Sequence, residues 1–160
     1  MLVLKGLIIF NLGYITYQDI KSRTVYWFLF PTLMLLLGYL HYSNTQQIQF
    51  LTAIAINITL VLAILAILYL YTVLKIKRPF FKEVFGLGDG LFFLAIALAF
   101  PTISFIILFV SALIFSLVTW LVLKNKALHK TIPLAGYMSA FLLFIFIGNW
   151  TTNTINLYLI

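Results

Sequence analysis

Runs of apolar residues about as long as a bilayer is thick, joined by short polar connections, constrain this chain more than any other feature. A helix needs about 20 apolar residues to cross a hydrocarbon core of roughly 30 Å. Such runs occupy Leu2 to Gln18, Val25 to Tyr42, Phe50 to Leu74, Leu91 to Leu123 and Ile132 to Ile147. The run from Leu91 to Leu123 would be about 50 Å long as one helix, and Pro101-Thr102 divides it. Splitting it into Leu91–Phe100 and Ile103–Leu123 predicts six spans and an all-α polytopic membrane protein. Of the 160 residues 64% are hydrophobic and 8% charged, more apolar surface than a water-soluble domain of this size can hide.

Charge gives the runs a direction. Lys21 and Arg23 follow the first run, Lys75, Lys77, Arg78 and Lys82 the third, and Lys124, Lys126 and Lys130 the fifth. The intervening connections carry no cation. The positive-inside rule therefore predicts a multi-pass protein of the cell membrane with both termini outside. Lys5 is the exception and is expected to snorkel to the outer surface. With a single span across Pro101, the last cation group would fall on the wrong side. The net charge of +7 then fits anionic lipid headgroups at the cytoplasmic face and excludes a nucleic-acid partner, because the cations form no basic domain. Trp27, Trp120 and Trp150 fall near span ends, as interfacial aromatics do. An alternative reading of the start as a signal peptide ranks lower, since no small-residue cleavage site follows Ile15. The chain reads as a single membrane-embedded domain, 1–160.

The chemistry available is narrow. There is no cysteine, hence no disulfide and no thiolate metal site. His41 and His129 lie beside polar stretches and read as interfacial residues, so neither a metal nor a cofactor is expected. The three carboxylates are Asp19, Glu83 and Asp89. Glu83, next to Lys82, reads as a solvated partner of nearby cations. Asp19, at the end of the first run, reads equally as an interfacial carboxylate paired with Arg23 four residues on.

Asp89 is different. It sits in Gly86-Leu-Gly-Asp89-Gly, without another charge nearby. The run after it, ending at Phe100, spans only about 15 Å. To reach the far face it must begin inside the membrane, so a loop before it is expected to dip into the bilayer, with the glycines permitting left-handed turns. Asp89 then serves as N-cap of the short helix, and a carboxylate at depth is a functional candidate with a partner to be named. Asp19 is the only other acid at that depth. Two carboxylates brought together resist double ionisation, and one retains a proton. Such a pair can activate water against an amide carbonyl while the protonated member supports the carbonyl oxygen.

Gly86-Leu87-Gly88-Asp89 resembles the GxGD signature of membrane aspartyl proteases. Asp19-Ile-Lys-Ser-Arg23-Thr-Val25 resembles the first-aspartate motif of the type IV prepilin peptidases, and Pro133-Leu-Ala-Gly136 is similar to a Pro/Gly motif at the last span of that family. GxGD alone is a weak pattern. Its specificity comes from the first aspartate, the layout and the sidedness. The resemblance covers nearly the whole chain in layout. It implies an aspartic-type endopeptidase that removes the short basic leader from type IV prepilin-like, pseudopilin-like or archaellin-like precursors at the cytoplasmic membrane face. Asp19 and Asp89 would be the catalytic pair, with Gly86 and Gly88 shaping the second loop. The chain departs from the family in lacking the paired CxxC motifs, so peptidase activity without methylation is expected. It also carries Gly90 where many members have Lys, and Val25-Tyr26-Trp27 where many have Ile-Pro-Asn. Two alternatives stay open. One is a presenilin-like or signal-peptide-peptidase-like intramembrane protease. The other is a small transporter or an assembly subunit of a pilus or secretion system, with Asp89 as a cation or proton site.

Overall fold

The computed structural model describes residues 1–77, 85–124, 131–152 and 157–158. Among them the chain forms α1 (Leu2–Ser22), α2 (Leu29–Asn44), α3 (Gln47–Tyr71), α4 (Leu87–Ala99), α5 (Thr102–Leu123) and α6 (Leu134–Thr152). A π-helical turn, Thr72–Ile76, extends α3. No strand occurs among the described residues. Glu83, Arg78, Lys82, Lys126, His129 and Lys130 lie outside them.

Two of the described connections have a local cause. The α1 helix stops at Arg23, which adopts the left-handed conformation at φ 57° and returns its N–H to the Asp19 carbonyl. The side-chain oxygen of Gln18 then accepts the Tyr26 N–H at 3.1 Å and holds the turn into α2. Phe100 is extended and Pro101 precedes α5, so the long fourth run breaks where a ring without an N–H requires it. Asn57 supports that break. Fully buried in α3, it donates to Ala97 O at 3.0 Å and Phe100 O at 2.9 Å. These are carbonyls at the end of α4 that lack helical partners.

The short helix α4 lies at the centre. Phe92, Phe93, Ile96 and the alanines at 95, 97 and 99 are all buried, and the small side chains let α2 and α3 approach closely. The α1 helix packs chiefly on α6, and α6 in turn on α5. Phe30, Phe105 and Phe146 complete one continuous core.

The outside of the bundle is apolar as well. Leu35, Ile67, Val122 and Phe144 are among many large hydrophobics left open, a surface suited to lipid rather than water. Among the described residues, three helical segments are long and apolar enough to cross a membrane: Gln47–Lys75, Thr102–Leu123 and Leu134–Thr152, with α4 a shorter apolar helix.

Three expectations need correction. The helix carrying Asp89 begins at Leu87 rather than Leu91, so Leu87, Gly88 and Asp89 form its first turn and not a loop. Gly86, in extended conformation, stands at the N-cap position expected of Asp89. No glycine has positive φ, and Gly86 and Gly88 matter for close approach instead. His41, expected at the interface, has a wholly buried side chain. Lys5, expected to snorkel, places its Nζ 5.1 Å from the centre of the Trp150 ring, a cation–π contact.

Candidate functional site: two carboxylates on the first turn of α6

Asp19 and Asp89 come from opposite ends of two helices. Asp19 is in the last turn of α1, on the buried face that also carries Ile8, Asn11, Leu12 and Ile15. Asp89 is in the first turn of α4. A carboxylate there is favoured by the free amides and by the aligned peptide dipoles.

The residues between them come from α6. Ala135 N–H donates to Oδ1 of Asp89 at 2.9 Å, and Gly136 N–H donates to Oδ2 of Asp19 at 2.6 Å. The two carboxylates thus hold consecutive amides of one helix. Successive Cα atoms are only about 3.8 Å apart, so this brings Asp19 and Asp89 to a single place although 70 residues separate them. The first helical bond of α6 is Tyr137 N–H to Pro133 O at 2.9 Å. The amides ahead of it are orphans in any helix. Here Leu134 N–H finds Ile132 O, and the next two find the carboxylates.

Glycine at 136 lets α6 close on Asp19. A Cβ there would meet Cβ and Oδ2 of Asp19 at 3.0 Å each, so the Asp19 side chain would have to shift by a few tenths of an ångström. Gly86 lies against the other acid, and a Cβ would come 3.0 Å from Oδ2 of Asp89. At Gly88 it would come 3.3 Å from Phe30, on α2. The glycines thus give the acids and α2 room to close in.

The floor of the site is tied across helices. Thr16 on α1 and Ser139 on α6 share a hydrogen bond of 2.8 Å, and Ser139 also donates to Gly136 O at 2.9 Å. Deeper in, Asn11 donates to Thr32 on α2 at 2.8 Å. Arg23 stands at the rim. Partial burial lowers its guanidinium from the ordinary value, and the nearby Asp19, Tyr137 and Asp89 oppose that shift. Arg23 therefore acts electrostatically on both acids. Asp19 takes its hydrogen bond from Gly136, not from the Arg23 partner its spacing suggested.

Among the described residues no group of His and acidic side chains is arranged to hold a metal ion. The residues missed from the sequence are Ala135, Thr16 and Ser139. Only Pro133-Leu-Ala-Gly136 carried a signal, and nothing in it said that backbone amides were the working groups. Comparison with family models, curated proteins and solved structures gives no match. Fold and site together define an all-α, membrane-type protein with two convergent aspartates.

Proposed function

We propose that this protein is a six-span membrane aspartyl endopeptidase of the prepilin-peptidase type. The observation that carries the reading is the meeting of Asp19 and Asp89 on the consecutive amides of Ala135 and Gly136. In the proposed reaction the ionised aspartate takes a proton from a water held between the pair. That water attacks the scissile carbonyl carbon, and the protonated aspartate donates to the carbonyl oxygen. As the tetrahedral carbon collapses, the C–N bond breaks, the departing nitrogen takes the proton that the first aspartate drew from water, and the second aspartate recovers its proton from the carbonyl oxygen. Fixed amides orient both acids before substrate arrives, so little reorganisation remains for the transition state.

The remaining spans in this proposal are α1, α2 and α4. Their lengths of 21, 16 and 13 residues correspond to about 32, 24 and 20 Å. Support for a cytoplasmic site comes from the cations. Lys21, Arg23, Lys75, Lys77 and Lys124 all follow or close helices that end where Asp19 ends, the face favoured for positive charge. The proposed substrates are membrane-anchored precursors with a short leader before a hydrophobic helix, which would present the scissile bond at that face.

The test is cleavage of a prepilin-like peptide by purified protein in liposomes. Wild type is expected to cut it, and Asp19→Asn and Asp89→Asn are not. Ion flux without cleavage of any leader would instead support a transporter. Sidedness has its own check in a chain without native cysteine. Cysteine at Asn44 should react with an impermeant maleimide on intact cells, and cysteine at Lys77 only after permeabilisation. The reverse labelling would reject the topology.

A further inference from the structure

The two aspartates stand in unequal fields. Asp89 opens α4, where free amides and the positive end of the peptide dipoles favour a carboxylate. Asp19 closes α1, is buried, and faces the negative end of its own helix dipole. The Gly136 amide bonds Asp19 at 2.6 Å but brings no net charge. A buried carboxylate at such a helix end, with a second acid beside it, resists ionisation unless a counter-charge is near.

Arg23 is placed to supply that charge. It caps α1 in the left-handed conformation, at φ 57°, and its N–H returns to the Asp19 carbonyl at 3.2 Å. Glycine is the usual residue for such a cap, so the backbone alone gives no reason for arginine here. The side chain does. It is half-buried at the rim, and its guanidinium interacts electrostatically with Asp19, Tyr137 and Asp89. Those residues belong to α1, α6 and α4, so one cation faces all three helix ends that build the site.

The rest of the surroundings adds no competing charge among the described residues. Tyr137, buried in the first turn of α6, is a neutral phenol beside Gly136. From α2 comes the apolar ring of Phe30, at Gly88. Lys21, the other cation of this turn, is exposed and turns its Nζ to the Tyr17 hydroxyl at 2.7 Å. Among the described residues Arg23 is the one cation that acts on both acids. The carboxylates take their α6 hydrogen bonds from backbone amides, and the guanidinium acts on them through space. Its charge does not vary, because arginine stays protonated wherever a protein is folded.

We propose that Arg23 is a positioning residue whose fixed charge holds one of the two aspartates ionised near neutral pH, leaving the pair the single proton that a water-activating dyad needs. The use made of that proton rests on the peptidase reading, whereas the charge state does not.

The test therefore reads charge state and cleavage separately, on the protein in liposomes equilibrated at each pH. Dicyclohexylcarbodiimide enters the bilayer and modifies protonated carboxyl groups. Mass spectrometry of the peptides carrying Asp19 and Asp89 gives the pH at which labelling falls by half. Three variants separate charge from cap. Arg23→Gln removes the charge. Arg23→Gly also removes it, while giving the cap the residue that fits it without strain. Arg23→Lys keeps the charge. Without the cation, protons persist on the carboxylates to higher pH. Arg23→Gln and Arg23→Gly should thus raise the half-labelling pH by about one unit, while Arg23→Lys should stay within roughly a third of a unit of wild type. The pH profile for cleavage of a prepilin-like peptide should move the same way, with about a tenfold loss of rate on its acid side. Half-labelling that stays in place in folded Arg23→Gln and Arg23→Gly, or that moves as far in Arg23→Lys, would overturn the proposal. The expected shift in labelling, with no leader cut by wild type at any pH, would reject the peptidase reading and still support this role for Arg23.

Discussion

At one end of the bundle the first turn of α6 meets the carboxylates of Asp19 and Asp89. At the other, the first turns of α3 and α5 meet a cavity and a buried histidine. In α6 each amide ahead of the first helical bond has an acceptor, and two of those acceptors are side chains of the chain itself. At the far end the cavity lining contains no carboxylate among the described residues. The same physics, free amides at the positive end of a peptide dipole, thus has two outcomes. An end that carries its own acids uses the amides to orient them. An end whose described lining holds no acid leaves its opening amides without one.

The largest effect expected from altering this arrangement, short of removing an acid, is at Gly136. A Cβ would press on Asp19 at 3.0 Å and move the carboxylate off its amide. Gly136→Ala should lower the cleavage rate by about 100-fold while the protein still folds, read as rate and thermal midpoint on one preparation. A rate near wild type would show that the close approach of α6 to Asp19 is unimportant.

Next comes Asn57, which holds the α4–α5 break from the core. Asn57→Ala removes two buried hydrogen bonds and should destabilise the protein by about 2 kcal/mol, measured by denaturant unfolding in mixed micelles. Cleavage should fall only modestly, because Asp89 lies at the other end of α4. A collapse of activity at unchanged stability would mean that the two ends are coupled through that helix.

The smallest effect is expected at Gly90, where a Cβ would make an ordinary contact of 3.4 Å with Phe85. Gly90 is helical and has no positive φ. Gly90→Ala should leave the cleavage rate within about twofold and raise stability slightly, by the general helix preference for Ala. A large loss would assign Gly90 a role in substrate contact.

These particulars show what a sequence of this kind reveals. The break at Pro101 and all six helix starts were legible to within four residues, because length, proline and apolar runs act locally. The start at Leu87 was read four residues late, since Gly86-Leu-Gly-Asp looks like a loop until Asp89 is seen to favour a first helical turn. The meeting of Asp19 with Asp89 was legible from depth and from the scarcity of acids. What joins them was not, for the donors are the backbone amides of Ala135 and Gly136, and a backbone amide leaves no trace in residue type. The burial of His41 was missed for a related reason. Its partner is a carbonyl 57 positions away, and no local pattern reports that.

The most direct test of the central claim is the cleavage rate of a prepilin-like peptide in a double-mutant comparison of wild type, Asp19→Asn, Asp89→Asn and the two together. A pair acting as one unit predicts that each single change abolishes cleavage by at least about a thousandfold, with the double change no worse than either. Cleavage that survives in one single variant, or losses that simply multiply in the double, would show that these aspartates do not share the reaction.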